Sequence, residues 1–189
     1  GSLVYSGGLS IEEALKTVGT DGTVLGEELE KIGYAGKKEP GFLQPHAYVE
    51  LHVEQGPILE NINKTIGAVE NLQGISWQEI TIEGEANHAG TTPMAMRKDA
   101  GQAAVRVITF LQDRANNSKG NTVATVGCID FEPDAINVIP SSATFTVDLR
   151  DANEERLKKE ETALKNYLKK LAAAEDVKIS SERLVRFEP

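Results

Sequence analysis

Hydrophobic and polar residues alternate along the chain with two periods, and each change of period marks a new element. The most regular alternation is "SATFTVDLR", residues 142–150, where Phe145, Val147 and Leu149 fall on one side. Side chains of a strand point alternately to opposite faces, so this segment predicts a half-buried strand. Apolar, β-prone runs bounded by turn residues predict further strands at 47–53, 65–74, 75–85, 122–131 and 177–187.

Two longer segments carry apolar residues at helical spacing. Residues 99–115 place small and branched apolar residues at i, i+3, i+4 and i+7, which makes one apolar stripe. Residues 154–174 predict a second long helix, for which Asn153 is the N-cap. The apolar positions of this second helix are Leu157, Leu164, Leu168 and Leu171.

The first 46 residues predict short helices joined by loops. Ser10 and Glu13 have the spacing of a capping box, so a helix is expected to begin after Ser10. A second short helix fits residues 24–32 and is expected to end at Gly33.

From residue 65 onward the predicted order is β-β-α-β-β-α-β. Two amphipathic helices between strand pairs favour a four-stranded antiparallel sheet with both helices on one face, the split βαβ arrangement. We therefore predict an α+β, ferredoxin-like domain over residues 65–189 and a separate segment over residues 1–64. The uncovered face and the edges of such a sheet are typical places for an oligomer contact.

Composition narrows the choice of partners. The chain has 189 residues, 40% of them hydrophobic, and a formal net charge of −9. An acidic surface repels phosphate backbones, so a nucleic-acid partner is not expected. We expect no membrane insertion, because no apolar run approaches the ~20 residues needed to cross a bilayer. The chain has a single cysteine, Cys128, which is typical of proteins in a reducing compartment, so we expect a cytoplasmic location. We expect the Cys128 side chain to be buried as a small hydrophobic residue.

One candidate for chemistry is His52, in "ELHVEQGPILE" at the end of a predicted strand. A neutral imidazole is the commonest protein ligand for zinc and similar ions, and the end of a strand is rigid and open. A packed core histidine explains the same position, and the spacing alone leaves both interpretations open.

A second candidate is His88, in "EANHAGTTPM". Small residues follow it, which leaves room for a molecule to approach the ring. A histidine held in this way can donate a hydrogen bond to a developing oxyanion. A histidine satisfied within its own loop is the alternative.

A third candidate site lies in "DAINVIPSSATFTVDLR". Asn137 precedes Pro140 in a predicted turn, and Arg150 lies on the polar face at the end of a strand. A guanidinium binds a carboxylate through two parallel hydrogen bonds. A turn asparagine and a surface arginine would be the structural explanations.

The residues alone do not complete a catalytic site. A hydrolytic metal centre needs three or four ligands per ion and a general base. No second histidine lies at ligand spacing from His52, since His46 is six residues earlier in a loop. Phosphate-binding and dinucleotide-binding glycine motifs and the G-x-S-x-G nucleophile motif do not occur.

Taken in order along the chain, these motifs resemble the N-carbamoyl-L-amino acid amidohydrolases, the family that includes allantoate amidohydrolase. The family belongs to a wider clan of aminoacylase-like and carboxypeptidase-like metallohydrolases. The resemblance implies a catalytic domain with two divalent ions, Zn²⁺, Mn²⁺, Co²⁺ or Ni²⁺. It also implies an inserted lid and dimerisation domain with a four-stranded sheet and two helices.

The resemblance also implies roles for individual residues. His52 is expected to be a metal ligand and Gln55 a substrate contact. His88 is expected to bind the scissile carbonyl or its oxyanion, and Asn137 and Arg150 to hold the substrate carboxylate. Some of these contacts are expected to reach the active site of a partner subunit, since the resemblance implies a homodimer formed through the lid.

The departures from the family pattern are large. The other metal ligands and the general base have no counterpart in these residues. We therefore expect an internal fragment, with residues 1–64 from an α/β zinc-hydrolase catalytic domain and residues 65–189 as the lid. Such a fragment is expected to be inactive by itself and to bind no metal. The alternatives are an allantoate amidohydrolase, a peptidase or aminoacylase of the same clan, and, outside the enzymes, a stand-alone dimerisation module.

Overall fold

The computed structural model describes residues 1–119 and 121–189 and divides into two compact units, Gly1–Thr65 and Ile66–Pro189. No helix in these two ranges is both long and apolar enough to cross a membrane.

The first unit consists of four short helices and extended loops. The helices are α1 (Ser2–Tyr5), α2 (Ile11–Leu15), α3 (Leu25–Lys31) and α4 (Ile58–Asn61). The predicted capping box is confirmed, because the Ser10 side chain accepts from the Glu13 N–H and the Glu13 carboxylate accepts from the Ser10 N–H. The stop at Gly33 is confirmed as well: α3 ends just before it, and Gly33 has a φ of 75°, which glycine adopts without strain.

The predicted strand at residues 47–53 is absent from this unit. Its apolar side chains are exposed, with Val49 at 92% and Leu51 at 91%. A strand is stable only when its backbone groups pair with a neighbour. The described residues of the first unit provide no partner strand, so the β-prone composition of this segment has no sheet to join.

The second unit is an antiparallel sheet covered on one face by two long helices, as predicted. Its elements in chain order are β1 (Gly74–Glu83), α5 (Ala100–Asn117), β2 (Thr122–Thr125), β3 (Ile129–Glu132), β4 (Ser142–Asp151), α6 (Glu154–Glu175) and β5 (Lys178–Phe187). The strand order is β2-β4-β1-β5, and β3 also pairs with β4. Both β2 and β3 lie on the same side of β4, at its opposite ends, so five strand segments fill four strand positions.

The core lies between the helices and one face of the sheet. Alternation along β4 is complete: Ala143, Phe145, Val147 and Leu149 are at most 2% exposed, while the residues between them are only half-buried. The predicted stripe of α5 and the four leucines of α6 pack against this face. Burying each leucine stabilises the fold by roughly 1.5–3 kcal/mol.

Two predicted strands differ from the structure. Residues 65–73 do not form a strand, because β4 and β5 already occupy both sides of β1. The predicted strand 122–131 is interrupted between β2 and β3. Cys128 lies in this interruption and is exposed, so the expectation that it is a buried hydrophobe was wrong.

Candidate functional site

The loop that carries His88 leaves β1 and is fixed by backbone contacts at its start. The Gly84 N–H donates to the Ser141 carbonyl at 2.8 Å, and the Glu85 N–H donates to the Lys98 carbonyl at 2.8 Å. A Cβ on Gly84 would lie 2.0 Å from the Lys98 carbonyl oxygen. Only glycine therefore fits here without a backbone shift, and this close approach sets the direction in which the loop continues towards His88.

The imidazole of His88 is held in one tautomer. The Gly90 N–H donates to His88 Nδ1 at 3.0 Å. A ring nitrogen that accepts a hydrogen bond carries no proton, so the proton of the neutral ring is on Nε2. Among the described residues Nε2 has no hydrogen-bond partner. His88 therefore presents an N–H donor to any molecule that approaches the ring.

Gly90 also has a packing role in this arrangement. A Cβ at this position would lie 3.3 Å from His88 Cε1 and 3.5 Å from Nδ1. The His88 ring thus lies against the position that a side chain at residue 90 would occupy. The small residues after His88 predicted room for an approaching molecule, but the ring itself fills part of that room.

Arg97 is a contributor that the sequence analysis missed. Its Nη2 donates to the Ala89 carbonyl at 2.6 Å, and its Nε donates to the Thr92 carbonyl at 3.1 Å. These bonds tie the two ends of the segment 89–92 to one side chain. In the sequence Arg97 follows Gly90 by seven residues, and this spacing is not typical of any motif.

Asn137 lies beside the His88 loop. His88 and Val138 form an isolated antiparallel bridge, and the Ala89 N–H donates to the Asn137 carbonyl at 2.9 Å. These contacts fix the backbone of Asn137. Its side-chain amide is exposed and makes no hydrogen bond within the part of the chain that the structure describes. The His88 loop and the backbone of Asn137 therefore lie at the same end of the sheet, and both residues have a side-chain group without a partner among the described residues.

Arg150 lies at the other end of the same sheet. It belongs to the open face of β4, next to Ile75 of β1 and Val123 of β2. Ser142, where β4 begins, is eight residues away, which corresponds to about 26 Å along a strand. One molecule of the size of an amino acid cannot contact both Arg150 and His88 within a single protomer.

The guanidinium of Arg150 is paired with Asp148, two residues earlier on the same face. Nε donates to both carboxylate oxygens at 3.1 and 3.0 Å, and Nη2 donates to Oδ2 at 2.8 Å. These hydrogen bonds raise the pKa of Arg150. Nη1 takes no part in the pair. A substrate carboxylate would therefore meet an oriented guanidinium that still has donors to offer.

His52 and Gln55 lie in the first unit. His52 Nδ1 is 2.6 Å from the Val53 carbonyl. A carbonyl oxygen can only accept, so Nδ1 carries the proton and Nε2 keeps its lone pair. Ligating histidines commonly hold their second ring N–H on a backbone carbonyl in this way. Gln55 has a φ of 56°, which is strained for a residue other than glycine, and its side chain is exposed.

The described residues contain no group of three or more histidine, cysteine, aspartate or glutamate side chains that could hold a metal ion. His52 fits the donor chemistry of a metal ligand through its tautomer, but it is one ligand. Its neighbour Glu54 is occupied otherwise, because its carboxylate accepts from the Ile58 and Leu59 N–H groups at the start of α4.

Comparison with known proteins identifies the second unit. The family model of the peptidase dimerisation domain matches residues 71–176. The chain is 37% identical over 186 residues to an N-carbamoyl-L-amino-acid amidohydrolase of Rhizobium meliloti, covering 98% of the chain and 45% of the relative. It is 34% identical over 143 residues to the allantoate amidohydrolase of Escherichia coli, covering 76% of the chain and 35% of the relative.

A solved structure has the same fold. A hydantoinase/carbamoylase family amidase from Burkholderia multivorans superposes with a TM-score of 0.88 and 39% identity, over 99% of this chain and 46% of the amidase. The chain thus spans less than half the length of the proteins it resembles.

Proposed function

The chain belongs to the family of N-carbamoyl-L-amino-acid and allantoate amidohydrolases and contains its peptidase dimerisation domain, and on this premise we propose that it works as part of a metal-dependent amidohydrolase. The substrate class is N-carbamoyl-L-amino acids or related ureido acids, and the bond that breaks is a C–N bond outside a peptide. For a carbamoyl substrate the products are an amino acid, ammonia and carbon dioxide.

The observation that carries this proposal is the tautomer of His88. Its Nε2–H is free to donate to the oxygen on which negative charge develops when the carbamoyl carbon is attacked. A donor aimed at such an oxygen typically contributes about 3 kcal/mol to the transition state. The amide of Asn137, whose backbone is bonded to the His88 loop, and the guanidinium of Arg150 bind the substrate carboxylate. Two anchors on one carboxylate fix the position of the C–N bond.

His52 contributes one ligand to the metal centre through Nε2, and Gln55 contacts the substrate beside it. Two divalent ions from the group Zn²⁺, Mn²⁺, Co²⁺ and Ni²⁺ would supply Lewis-acid chemistry when bound. A metal centre needs three or four ligands, so with His52 as its one proposed ligand the 189-residue chain is proposed to be inactive by itself. Activity belongs to the full-length enzyme, in the cytoplasm.

The enzyme acts as a homodimer that shares its active sites. The distance between Arg150 and His88 along the sheet supports this arrangement, because one substrate can reach both only if they come from different protomers. Each site would therefore combine His88 and Asn137 of one protomer with Arg150 of the other.

The free edge at β2 is the better candidate for the contact between protomers. Residues 122–128, "TVATVGC", carry no charge, whereas the other edge strand, β5, contains Lys178, Glu182, Arg183 and Arg186. Charged side chains on an edge strand disfavour pairing with another chain, whereas an uncharged edge strand can pair. Pairing of two β2 edges would also cover the exposed Cys128.

The oligomer proposal is tested by placing a charge on each edge in turn. Val123→Lys on β2 is expected to convert the full-length dimer to monomer in sedimentation velocity measurements. Leu184→Lys on the charged β5 edge is the matched control and is expected to leave the dimer intact. A dimer that survives Val123→Lys would exclude the β2 edge.

The catalytic proposal is tested on the full-length enzyme with a panel of N-carbamoyl amino acids, allantoate and simple dipeptides. We expect release of ammonia from a carbamoyl or ureido substrate, loss of this activity with a chelator and its return with Mn²⁺. Hydrolysis of dipeptides alone would show that the enzyme is a peptidase of the same clan. Turnover that a chelator does not affect would exclude a metal-dependent mechanism.

A further inference from the structure

The ion pair between Arg150 and Asp148 leaves one edge of the guanidinium open. A guanidinium can bind a carboxylate through two parallel hydrogen bonds at either of two edges, Nε with Nη2 or Nη1 with Nη2. Asp148 occupies the first edge, with Nε at 3.1 and 3.0 Å from its two oxygens and Nη2 at 2.8 Å from Oδ2. The second edge meets no acceptor in residues 1–119 and 121–189, so a second carboxylate can bind there while Asp148 keeps its place.

The cross-strand neighbours of Arg150 cannot hold its guanidinium. The register of the sheet places Ile75 of β1 and Val123 of β2 directly beside Arg150. Side chains in such positions leave Cβ atoms about 4.5–5.5 Å apart, but both neighbours are apolar and offer no hydrogen bond. In the described part of the chain, Asp148 is therefore the group that orients Arg150.

Asp148 itself starts from a rigid piece of backbone. At this position β4 is paired on both sides, with Trp77 of β1 and with Thr125 of β2. The side chains of Arg150 and Asp148 are 37% and 27% exposed, so the pair is held by the sheet but can be reached by a small molecule.

Ordering of Arg150 before binding affects how tightly a carboxylate is held. Immobilising a side chain with many rotamers weakens binding by roughly two- to tenfold, and a guanidinium that is already held avoids most of this loss. The charge of Asp148 acts in the opposite direction, because it repels a second carboxylate. Water around the partly exposed pair screens this repulsion, so the ordering effect dominates.

We propose that Asp148 is a positioning residue, which holds Arg150 by one edge so that the opposite edge binds the substrate carboxylate. This role rests on the proposed function, since it takes Arg150 as a carboxylate contact. A lysine at position 150 could not serve in this way, because an ammonium group has no second planar edge. The pair thus also sets the direction of approach, with the substrate on the side of the guanidinium that faces away from Asp148.

The first test is Asp148→Ala in the full-length enzyme. We expect KM for a hydrolysed N-carbamoyl amino acid to rise about fivefold and kcat to stay within about twofold, since only carboxylate binding is weakened. Asp148→Asn keeps one acceptor oxygen and should raise KM less. Glu79→Gln is the matched control: it removes the same charge from the same face, opposite Thr146, and leaves KM unchanged. A KM that falls or stays constant in Asp148→Ala overturns the proposal.

A double variant shows whether Asp148 acts through Arg150. Once Arg150→Ala has removed the guanidinium, Asp148→Ala should cause no further rise in KM, because nothing is left to position. A further rise of the same size in the double variant would mean that Asp148 only supports the sheet, and it overturns the proposal.

Binding measurements separate this inference from the proposed function. The affinity for N-carbamoyl-L-leucine is measured by calorimetry on metal-free enzyme. If both Arg150→Ala and Asp148→Ala weaken binding but the compound is not hydrolysed by the metal-loaded enzyme, the positioning role stands and the proposed reaction fails. If Arg150→Ala alone weakens binding, the proposed function stands and the role of Asp148 fails. If Arg150→Ala has no effect, the carboxylate role of Arg150 and the inference fail together.

Discussion

At the scale of single residues, two histidines that look alike in the sequence are held in opposite tautomers. His88 accepts a hydrogen bond at Nδ1 and keeps a proton at Nε2, whereas His52 donates from Nδ1 and keeps a lone pair at Nε2. The first tautomer fits the proposed donor to an oxyanion, and the second fits the proposed metal ligand. In both cases a local backbone group determines the tautomer.

This difference leads to a prediction for His88 and the glycine beneath it. His88→Ala in the full-length enzyme is expected to lower kcat by about 10²–10³, because a donor to the oxyanion is lost. Gly90→Ala should lower kcat by a smaller factor, since its Cβ shifts the ring slightly but does not remove the donor. Steady-state kinetics measure both effects. His46→Ala, in an exposed loop, is the control and should leave kcat unchanged. A normal kcat for His88→Ala would show that His88 has no catalytic role.

A second residue, Asp151, concerns stability. Its side chain is fully buried at the end of β4 and accepts from Arg156 at 2.8 and 3.1 Å, from the Thr122 hydroxyl at 2.8 Å and from the Asn153 N–H at 2.7 Å. Burial raises the pKa of the Asp151 carboxyl, but the hydrogen bonds from Arg156, Thr122 and Asn153 outweigh it, so that the pKa is lowered. The folded state therefore favours the charged form.

The sign of the pH dependence follows from this lowered pKa. The stabilisation is fully present above the ordinary aspartate pKa of about 3.9 and is lost as the pH falls through the lower value of the folded state. At neutral pH we expect Asp151→Asn to lower the free energy of unfolding by about 2 kcal/mol. Urea unfolding measures this difference, which should shrink below about pH 4. Asp130→Asn, on the exposed face of β3, should have no such effect.

At the scale of elements, periodicity predicted those parts that have a partner within the chain. The helices α5 and α6 and the strand β4 follow their predicted positions closely, because their apolar faces meet in one core. The segment 47–53 has equally β-prone residues, yet it forms no strand, since pairing depends on a neighbour and not on propensity. The interruption between β2 and β3 also left no clear signal in the pattern of apolar residues.

The candidate site shows the same limit. The sequence singled out His88, Asn137 and Arg150, but their distances depend on which end of a strand each occupies. The braces of the site, Arg97 and Asp148, have no distinctive spacing, so only the folded structure revealed them.

The loop that begins at Gly84 yields the prediction at this scale. Gly84→Ala would place a Cβ 2.0 Å from the Lys98 carbonyl oxygen, so the end of β1 and the backbone near Lys98 must separate. We expect a loss of roughly 1–3 kcal/mol in the free energy of unfolding. We also expect a lower kcat, because the His88 loop begins at this contact. Gly36→Ala, where nothing lies within 4 Å, is the control, and equal stability of the two variants would contradict the close approach.

At the scale of the whole molecule, the sheet separates the residues that we propose as substrate contacts. His88 and Asn137 lie at one end of the open sheet and Arg150 lies at the other. The proposed arrangement, in which each active site draws on two protomers, would give a role to the polar residues at both ends of the sheet. In this arrangement a monomer would be inactive.

Complementation between inactive variants tests this arrangement. His88→Ala homodimers lack the oxyanion donor in both sites, and Arg150→Ala homodimers have a strongly raised KM because the carboxylate anchor is lost in both. A heterodimer of the two variants, purified through two different affinity tags, contains one site with both residues intact if the sites are shared. At low substrate concentration we therefore expect about half of the wild-type activity.

The matched control for this experiment is a heterodimer of His88→Ala and Asn137→Ala. These residues lie at the same end of the sheet, so each site of that heterodimer lacks one of them and the activity should stay at the level of the parent variants. Recovery in the first heterodimer but not in the second requires that Arg150 and His88 reach one substrate from different protomers. If neither heterodimer recovers activity, each site is built within one chain, and a rearrangement of the sheet would be needed to bring Arg150 to His88.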